Sequence, residues 1–425
     1  MKRPFLYMLF GCLSLTCIMG CDNAEYPALD NAIYLVDAGN RDSYDCIDAR
    51  LSDRQFNVTL RMTSPLEHPV KVSLAVDEQA LSDHNAKFDD ALQVLPTENW
   101  AFVDSDGKEV DGSLEVTIPA GRNTVVFPVQ LKSVAEDDMT QYALPLSIAS
   151  VSEDITVLEK QKTVLYAFQK DFEVPVLIVK ANNDIVWRWE KNDFPATNTW
   201  TVEFFFTLNR MKNDTAYGNE TLWVNGNPSS LYVRPYANAD GMDIHLHGSF
   251  DAGGFSVEKG TWSDSANDGR WHHFAYVCNN DKVTSYLDGV EMKSVVNPLW
   301  QEPTKFDGFN FASTHHPSPI GYSELRIWSV ARSAGDIKRS KYKVNPNSKG
   351  LFAYYKLDEG EGSVFHDATG NGHDLDENSF SMINDDANTK YENITSVFKW
   401  GKAKNDEEMT AMVTTDGQSL LNVKN

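Results

Sequence analysis

The sequence predicts an all-β protein built from two sandwich domains, and three observations carry that expectation. Apolar residues alternate over short runs: Val70, Val72, Leu74 and Val76 are interleaved with Lys71, Ser73 and Ala75, the period of a half-buried strand. Turn signals rich in Gly and Pro separate such runs at short intervals, the spacing of a sandwich. Composition then splits the chain, because nine of its ten Trp lie after residue 180 and only Trp100 precedes it. A length of 425 residues suits two or three domains.

In the first half, residues 114–118 alternate and Pro119-Ala-Gly121 breaks them as a turn. Residues 124–131 and 142–148 follow as strands, and each carries a Pro, which predicts edge positions. The run 163–168 is strand-like, and residues 161–173 read as the hinge between domains. Strands continue at 200–207, 231–234, 243–247, 273–277 and 283–287. Only residues 333–341 read as a short helix, with Ser333 as N-cap and Asp336 in the first turn. The polar stretch from Lys402 onward is expected to fray.

The first twenty residues stand apart from the fold. Lys2 and Arg3 precede an apolar stretch from Phe5 to Met19, short of the roughly 20 residues that a membrane-spanning helix needs. It ends in Ile18-Met19-Gly20-Cys21, which resembles the bacterial lipobox. That resemblance implies cleavage before Cys21 and acylation of that cysteine, and several acyl chains at one terminus anchor stably. The segment Asp22-Asn23-Ala24-Glu25 resembles the acidic export signal of some Gram-negative surface lipoproteins. The expectation is an outer-membrane lipoprotein facing the cell surface. No 18-residue apolar run follows, so no second membrane segment is expected.

Charge excludes one class of partner. The formal net charge is −23, falling to −25 once Lys2 and Arg3 are removed, and such a surplus repels phosphate backbones. Nucleic acid is therefore not expected. Of five cysteines, Cys12 and Cys17 leave with the signal and Cys21 carries lipid. Cys46 and Cys278 remain, far apart in sequence, and read as small buried apolar residues rather than a disulfide framework.

Several motifs of the second half then make its resemblance specific. Asp268-Gly-Arg-Trp-His-His-Phe274, Tyr286-Leu-Asp-Gly-Val290 and Glu324-Leu-Arg-Ile-Trp-Ser-Val-Ala-Arg332 occur in that order. Residues 350–362 and Asp367-Ala-Thr-Gly-Asn-Gly-His373 extend the match, and together they resemble the laminin-G-like, concanavalin A-like jelly-roll family. Asp288-Gly289 is the dipeptide of a tight hairpin. In the first half, Tyr26 to Leu35, residues 77–85, Ile118-Pro-Ala-Gly121 and residues 142–148 resemble an uncharacterised immunoglobulin-like domain. That domain follows the lipid anchor in surface lipoproteins of Bacteroides-type glycan-utilisation systems. The expected organisation is a signal over 1–20, an anchor linker over 21–35 and an immunoglobulin-like β-sandwich spacer over 36–168. A concanavalin A-like/laminin-G-like jelly roll over 175–400 and a tail over 401–425 complete it.

The jelly roll serves both lectins and glycosidases, so fold alone decides nothing. Hydrolases of this architecture usually carry E-x-D-x-x-E on one strand, and a retaining mechanism needs carboxyls about 5–5.5 Å apart. No such run occurs. Glu109-Val-Asp111 and Glu359-Gly-Glu361 come closest, and both sit among turn glycines. There is no G-x-S-x-G, H-E-x-x-H or P-loop, and no catalytic residue is assigned. Sugar recognition needs aromatic faces beside polar side chains. Trp223, Trp262 and Trp300 lie in segments flanked by Asn, Asp, Gly or Pro and are the candidate aromatics.

His245 and His247 share one face of a strand and suit either a metal or sugar hydroxyls, although no third metal ligand is evident. His272-His273 point to opposite faces of theirs, and His315-His316 occupy a Pro-flanked loop. Calcium is a further expectation of the family, and Asp367, Asn371 and Asp374 or Asp240 and Asp243 are its candidate ligands. The same residues suit Asx turns. The function expected is non-catalytic capture of a poly- or oligosaccharide at the cell surface, alongside other glycan-utilisation proteins. Adhesion to a protein partner and a glycosidase with dispersed carboxylates are the alternatives.

Overall fold

The computed structural model describes residues 31–38, 49–50, 55–132, 140–169, 173–179, 184–207, 222–227, 231–233, 244–246, 255–257, 271–296, 301–311, 320–376, 379–383, 398–404 and 413–414. Cys21, Cys46, His247, Trp262, Trp300, Asp240, Asp243, His315 and His316 lie outside the described residues, as do the signal segment and its lipobox. No described helix is long and apolar enough to cross a membrane.

The N-terminal domain is a β-sandwich. One sheet runs, in spatial order, Thr156–Val157, Ala32–Leu35, Gln55–Met62, Thr124–Leu131, Trp100–Val103 and Glu109–Val110. The other runs Ala49–Arg50, Thr163–Gln169, Tyr142–Val151, Val70–Val76 and Ser113–Ile118. Strict alternation, as in buried Leu114, Val116 and Ile118 against exposed Ser113, Glu115 and Thr117, turns one face of each sheet into a shared core. Trp100, Phe102 and Phe127 are the bulky members of that core.

Both proline-bearing strands are interior rather than edge strands. Each proline instead sits one position beyond the end of a neighbouring ladder. Leu146 is the first residue paired with Val70–Val76, and Pro145 only accepts a bond from Asp77 N at 2.9 Å. Phe102, paired with Val129, is the last residue of Trp100–Val103 in that ladder, and Pro128 lies one position beyond it. The missing N–H therefore breaks no pairing.

A helix that the sequence reading missed, α1 (Glu78–Phe88), follows the second sheet's Val70–Val76 strand. Asp77 caps it by accepting from Ala80 N at 3.1 Å, and Asp89 ends it in the left-handed region at φ 54°. Only Ala80, Leu81 and His84 are buried, which explains why the apolar period was weak.

The second domain is a jelly roll of two facing sheets. The large sheet orders Val290–Val296, Lys282–Leu287, Trp271–Asn279, Thr199–Thr207, Ile320–Trp328, Glu173–Val179, Phe398–Lys404 and Val413–Thr414, with Leu351–Tyr355 paired to Ile320–Trp328. The small sheet orders Leu231–Val233, Leu222–Asn227, Lys305–Phe311, Asp184–Arg188 and Phe380–Ile383. Between them lies an aromatic core that includes Trp187, Trp189, Trp200, Phe204, Phe274, Phe309, Phe311 and Tyr322. The Asp288-Gly289 turn forms the expected hairpin, with φ of 52° and 79°.

Helix α2 (Ala334–Arg339) forms where expected, capped by Ser333 in a reciprocal box with Asp336. Its Ile337 packs on Ala275, Val277 and Tyr286, so α2 lies over the outer face of the large sheet.

Three domain limits move from the sequence expectation. Ala32–Leu35 pairs with Gln55–Met62, so the sandwich starts inside the segment read as linker. Thr163–Gln169 pairs with Tyr142–Val151, and Glu173 pairs with Lys404, so both ends of the expected hinge belong to the sheets. Gly401–Lys404 pairs with Glu173–Val176 and accepts a further partner at Val413–Thr414, so this part of the expected tail belongs to the large sheet.

Candidate functional site

The small sheet supplies the most sugar-like arrangement. Its backbone register aligns Tyr232, Trp223, Asn310, Val186 and Ser381 as one row across five strands. These positions alternate with the buried core residues Leu222, Val224, Phe309, Phe311 and Trp187. Asn310 and Val186 are buried, so the middle of the row is covered. The two aromatic positions lie toward the sheet's Leu231–Val233 edge. Against that edge lies a two-stranded ribbon, Ile244–Leu246 with Phe255–Val257, in which His245 pairs with Ser256. Two of the expected ligand residues, Trp223 and His245, thus come from segments that the fold brings to one margin of the small sheet. Trp, Tyr and His are residue types that can stack on a sugar ring and bond its hydroxyls.

The outer face of the large sheet holds chemistry that the sequence reading missed. Glu203 points out of the core from the middle of Thr199–Thr207 and is fully buried beneath the α2 segment. Its Oε1 accepts from Trp328 Nε1 at 2.8 Å and Arg332 Nη1 at 2.7 Å, and His273 Nε2 lies 3.4 Å from its Oε2. Burial alone would push this carboxyl up, but Arg332, His273 and Arg326 outweigh it and hold Glu203 below the usual carboxylate range. His273 shows the opposite balance: burial dominates and lowers it, favouring the neutral imidazole.

Arg326, also buried, joins this site to a second carboxylate. Its Nη2 donates to Glu324, which also accepts from the Tyr354 hydroxyl. Its Nη1 donates to the Ser340 and Lys341 carbonyls at 3.0 and 3.1 Å, and Arg332 Nη2 reaches Ser340 Oγ at 2.5 Å. Burial raises Glu324 more than Arg326 and Tyr354 lower it. A pair of carboxylates around one guanidinium, with side-chain exposures of 0% and 7%, has no open face toward a substrate. The arrangement clamps the chain after α2 to the sheet. The sequence signal was a lone charge inside an aromatic strand, in Trp200-Thr-Val-Glu-Phe and in Glu324-Leu-Arg-Ile-Trp.

The candidate calcium residues that are described form a self-satisfied turn. Asp367 Oδ1 accepts from Tyr354 N and Thr369 N, each at 3.1 Å, and Oδ2 accepts from Thr369 Oγ1 at 2.8 Å and His373 N at 3.3 Å. Asn371 donates its amide to the Leu351 and Phe352 carbonyls at 3.3 and 2.9 Å. Asp374 Oδ1 accepts from Asp367 N at 2.7 Å. Both Asp367 oxygens and Asp374 Oδ1 are thus engaged by N–H and O–H donors, the chemistry of an Asx turn. No three of His, Cys, Asp and Glu converge as a metal-holding group among the described residues.

The same loop carries a histidine between two carboxylates. His373 Nε2 lies 2.8 Å from Asp193 Oδ1 and its Nδ1 3.3 Å from Asp367 Oδ2, with the Phe352 ring tilted against it at 4.1 Å. Burial lowers its pKa, but the Asp367 and Asp193 bonds prevail and raise it above the ordinary value. The remaining carboxylates of the sequence reading are accounted for locally. Glu109 pairs with Lys132 at 2.8 Å and Glu359 accepts from His366 N at 2.9 Å. Cys278 is buried and unbridged, its thiol pushed up to about 12 mainly by burial. His272 and His273 divide between faces as expected, His272 meeting Asp288 at 2.9 Å.

With this geometry in place, family comparison is direct: residues 182–338 match the concanavalin A-like lectin/glucanases superfamily. The C-terminal domain is concanavalin A-like. Residues 29–155 match a family model described as an N-terminal domain. Among solved structures, the chain is similar to a candidate carbohydrate-binding protein of Bacteroides ovatus, at 18% identity and TM-score 0.43, covering 83% of this chain and 96% of that one. It is also similar to a heptameric pentraxin of Limulus polyphemus, at 15% identity and TM-score 0.30, covering 45% and 92%. Domain 4 of an extracellular arabinanase from Geobacillus stearothermophilus, solved with arabinotriose, aligns at 19% identity and TM-score 0.26, covering 34% and 66%. No curated protein matches the chain.

Proposed function

We propose that the concanavalin A-like domain captures a poly- or oligosaccharide without cleaving it, at the margin of the small sheet whose strands carry Trp223 and Tyr232 and whose neighbouring ribbon carries His245. The juxtaposition of those three positions carries the reading, and the superfamily of the domain supports it. The two buried carboxylates of the large sheet, Glu203 and Glu324, are engaged by arginines inside the packing, which favours binding over hydrolysis. The lipobox-like ending at Cys21 and the acidic segment after it support a mature protein anchored on the outer membrane, cell-surface side, where capture would serve other glycan-utilisation proteins. The N-terminal sandwich is then the spacer between membrane and ligand.

The test is a glycan panel probed with the mature chain and its Trp223→Ala variant, assayed for binding and for release of reducing ends. Binding that weakens at least about tenfold in the variant, about 1.4 kcal/mol, without release, supports the reading. Release of sugars establishes a glycosidase instead, and silence across the panel favours a protein ligand. Repeating the panel in chelator tests calcium at Asp240 and Asp243, the candidates that the Asp367 turn does not exhaust.

A further inference from the structure

We infer that α2 and the turn after it are a docking surface for the N-terminal domain, so the spacer is a rigid arm rather than a swivelling tether. Arg339, the last residue of α2, makes two contacts across the boundary. Its guanidinium lies 4.8 Å from the Phe88 ring centroid, and its Nε is 3.4 Å from Asp90 Oδ2. A planar guanidinium is the group suited to a ring face and a carboxylate at once. Four residues on, Lys343 Nζ donates to Thr140 Oγ1 at 2.9 Å. Contacts at residues 88–90 and at 140 come from separate parts of the spacer, and two anchor points oppose rotation about either one.

Both sides of this junction are built in advance. On the spacer, Asp90 is buried against His84 Nε2 at 2.8 Å, and its N–H donates to Asn85 O at 3.1 Å, which fixes the end of α1. On the jelly roll, Arg326 and Arg332 grip Ser340 and Lys341, immediately between Arg339 and Lys343. The Glu203 clamp therefore runs by direct contacts from the large sheet to the spacer. The angle between the domains is set by this surface. The inference is independent of what the concanavalin A-like domain binds.

Distances between spin labels test it in the mature chain, with Cys46→Ser removing the second thiol and labels at Thr117→Cys and Lys282→Cys, both exposed strand positions in different domains. One narrow distance distribution is expected, broadening severalfold in Arg339→Glu/Lys343→Glu. Thr140→Lys, which opposes Lys343 from the spacer side, is expected to broaden it as well. Near-UV circular dichroism verifies that each variant keeps its packed cores. A broad distribution in the parent, or an unchanged narrow one in folded variants, overturns the inference.

Discussion

Glu203 and Trp328 meet across the outer face of the large sheet, the indole N–H donating to Oε1 at 2.8 Å from a strand 125 positions away in sequence. Arg332 stacks on the same indole at 4.4 Å and donates to the same oxygen. One buried carboxylate thus gathers an indole, two guanidinium groups and an imidazole under α2. Removing it leaves Arg332 without its carboxylate and buried Arg326 with Glu324 alone to balance it. Glu203→Ala is expected to cost about 3–5 kcal/mol, and Glu203→Gln less, because the amide oxygen still accepts from Trp328. Denaturant titration of both variants measures the gap, and equal losses would show that the charge, not the bond to Trp328, carries the whole effect.

His373 gives the jelly roll a pH-dependent contribution whose sign follows from its raised pKa. A histidine raised by folding stabilises fully below its unfolded value near 6.5, and that stability is lost as pH rises through the folded value. Asp193 and Asp367 are held down, chiefly by His373 in the first case and by His373 against burial in the second. Their contribution is present above about pH 4 and lost on acidification. The stability difference between the parent and His373→Gln is therefore expected to peak between about pH 4 and 6.5 and to shrink toward pH 8. Taking that difference removes the opposing trend of neutral, buried His273. A difference that grows with alkalinity would contradict the Asp-His-Asp arrangement.

Gly308 lies where Lys305–Phe311 passes between two neighbouring strands, and a Cβ there would fall 1.9 Å from the Trp187 carbonyl oxygen. Neither backbone can yield without breaking the small sheet. Gly308→Ala is expected to destabilise by about 3 kcal/mol and to weaken glycan binding with it, because the row through Trp223 and Asn310 starts from this register. Thermal unfolding and the binding assay together check the coupling.

Ser333→Ala removes half of the α2 capping box, in which Ser333 Oγ accepts from Asp336 N at 3.2 Å. A loss of about 1 kcal/mol is expected. Because α2 ends at Arg339, the same variant is expected to loosen the spacer junction, read as faster amide exchange over residues 84–90. Exchange confined to α2 would show that the helix and the spacer are not coupled.

Much of this architecture was legible in the sequence because sheets leave a short-range record. Alternation at 70–76 and 114–118, the Asp288-Gly289 turn and the Ser333 cap each involve neighbours within a few residues. What escaped is held by distant partners. The edge expectation for Pro128 and Pro145 failed because a ladder's end depends on the neighbouring strand. Helix α1 escaped because so little of it is buried. The Glu203 clamp escaped because its members stand at 203, 273, 326 and 332, and nothing local announces that they meet. At the candidate site, residue type and flanking turns pointed to Trp223 and His245, whereas Tyr232 entered only through strand register.

The pairing of Glu173–Val179 with Phe398–Lys404 has a bearing on how the chain is made. The opening strand of the jelly roll lies between Ile320–Trp328 and Phe398–Lys404, so both of its neighbours are synthesised long after it. Among the described residues, the N-terminal sandwich pairs only with itself and can complete its sheets early. During vectorial emergence, therefore, the first domain closes while residues 173–179 wait with one free flank until residue 404 has appeared. Such an unsealed strand is the kind of species that attracts chaperones or aggregates, and it makes slow, late closure of the second domain the step at which production of this protein is most exposed to failure.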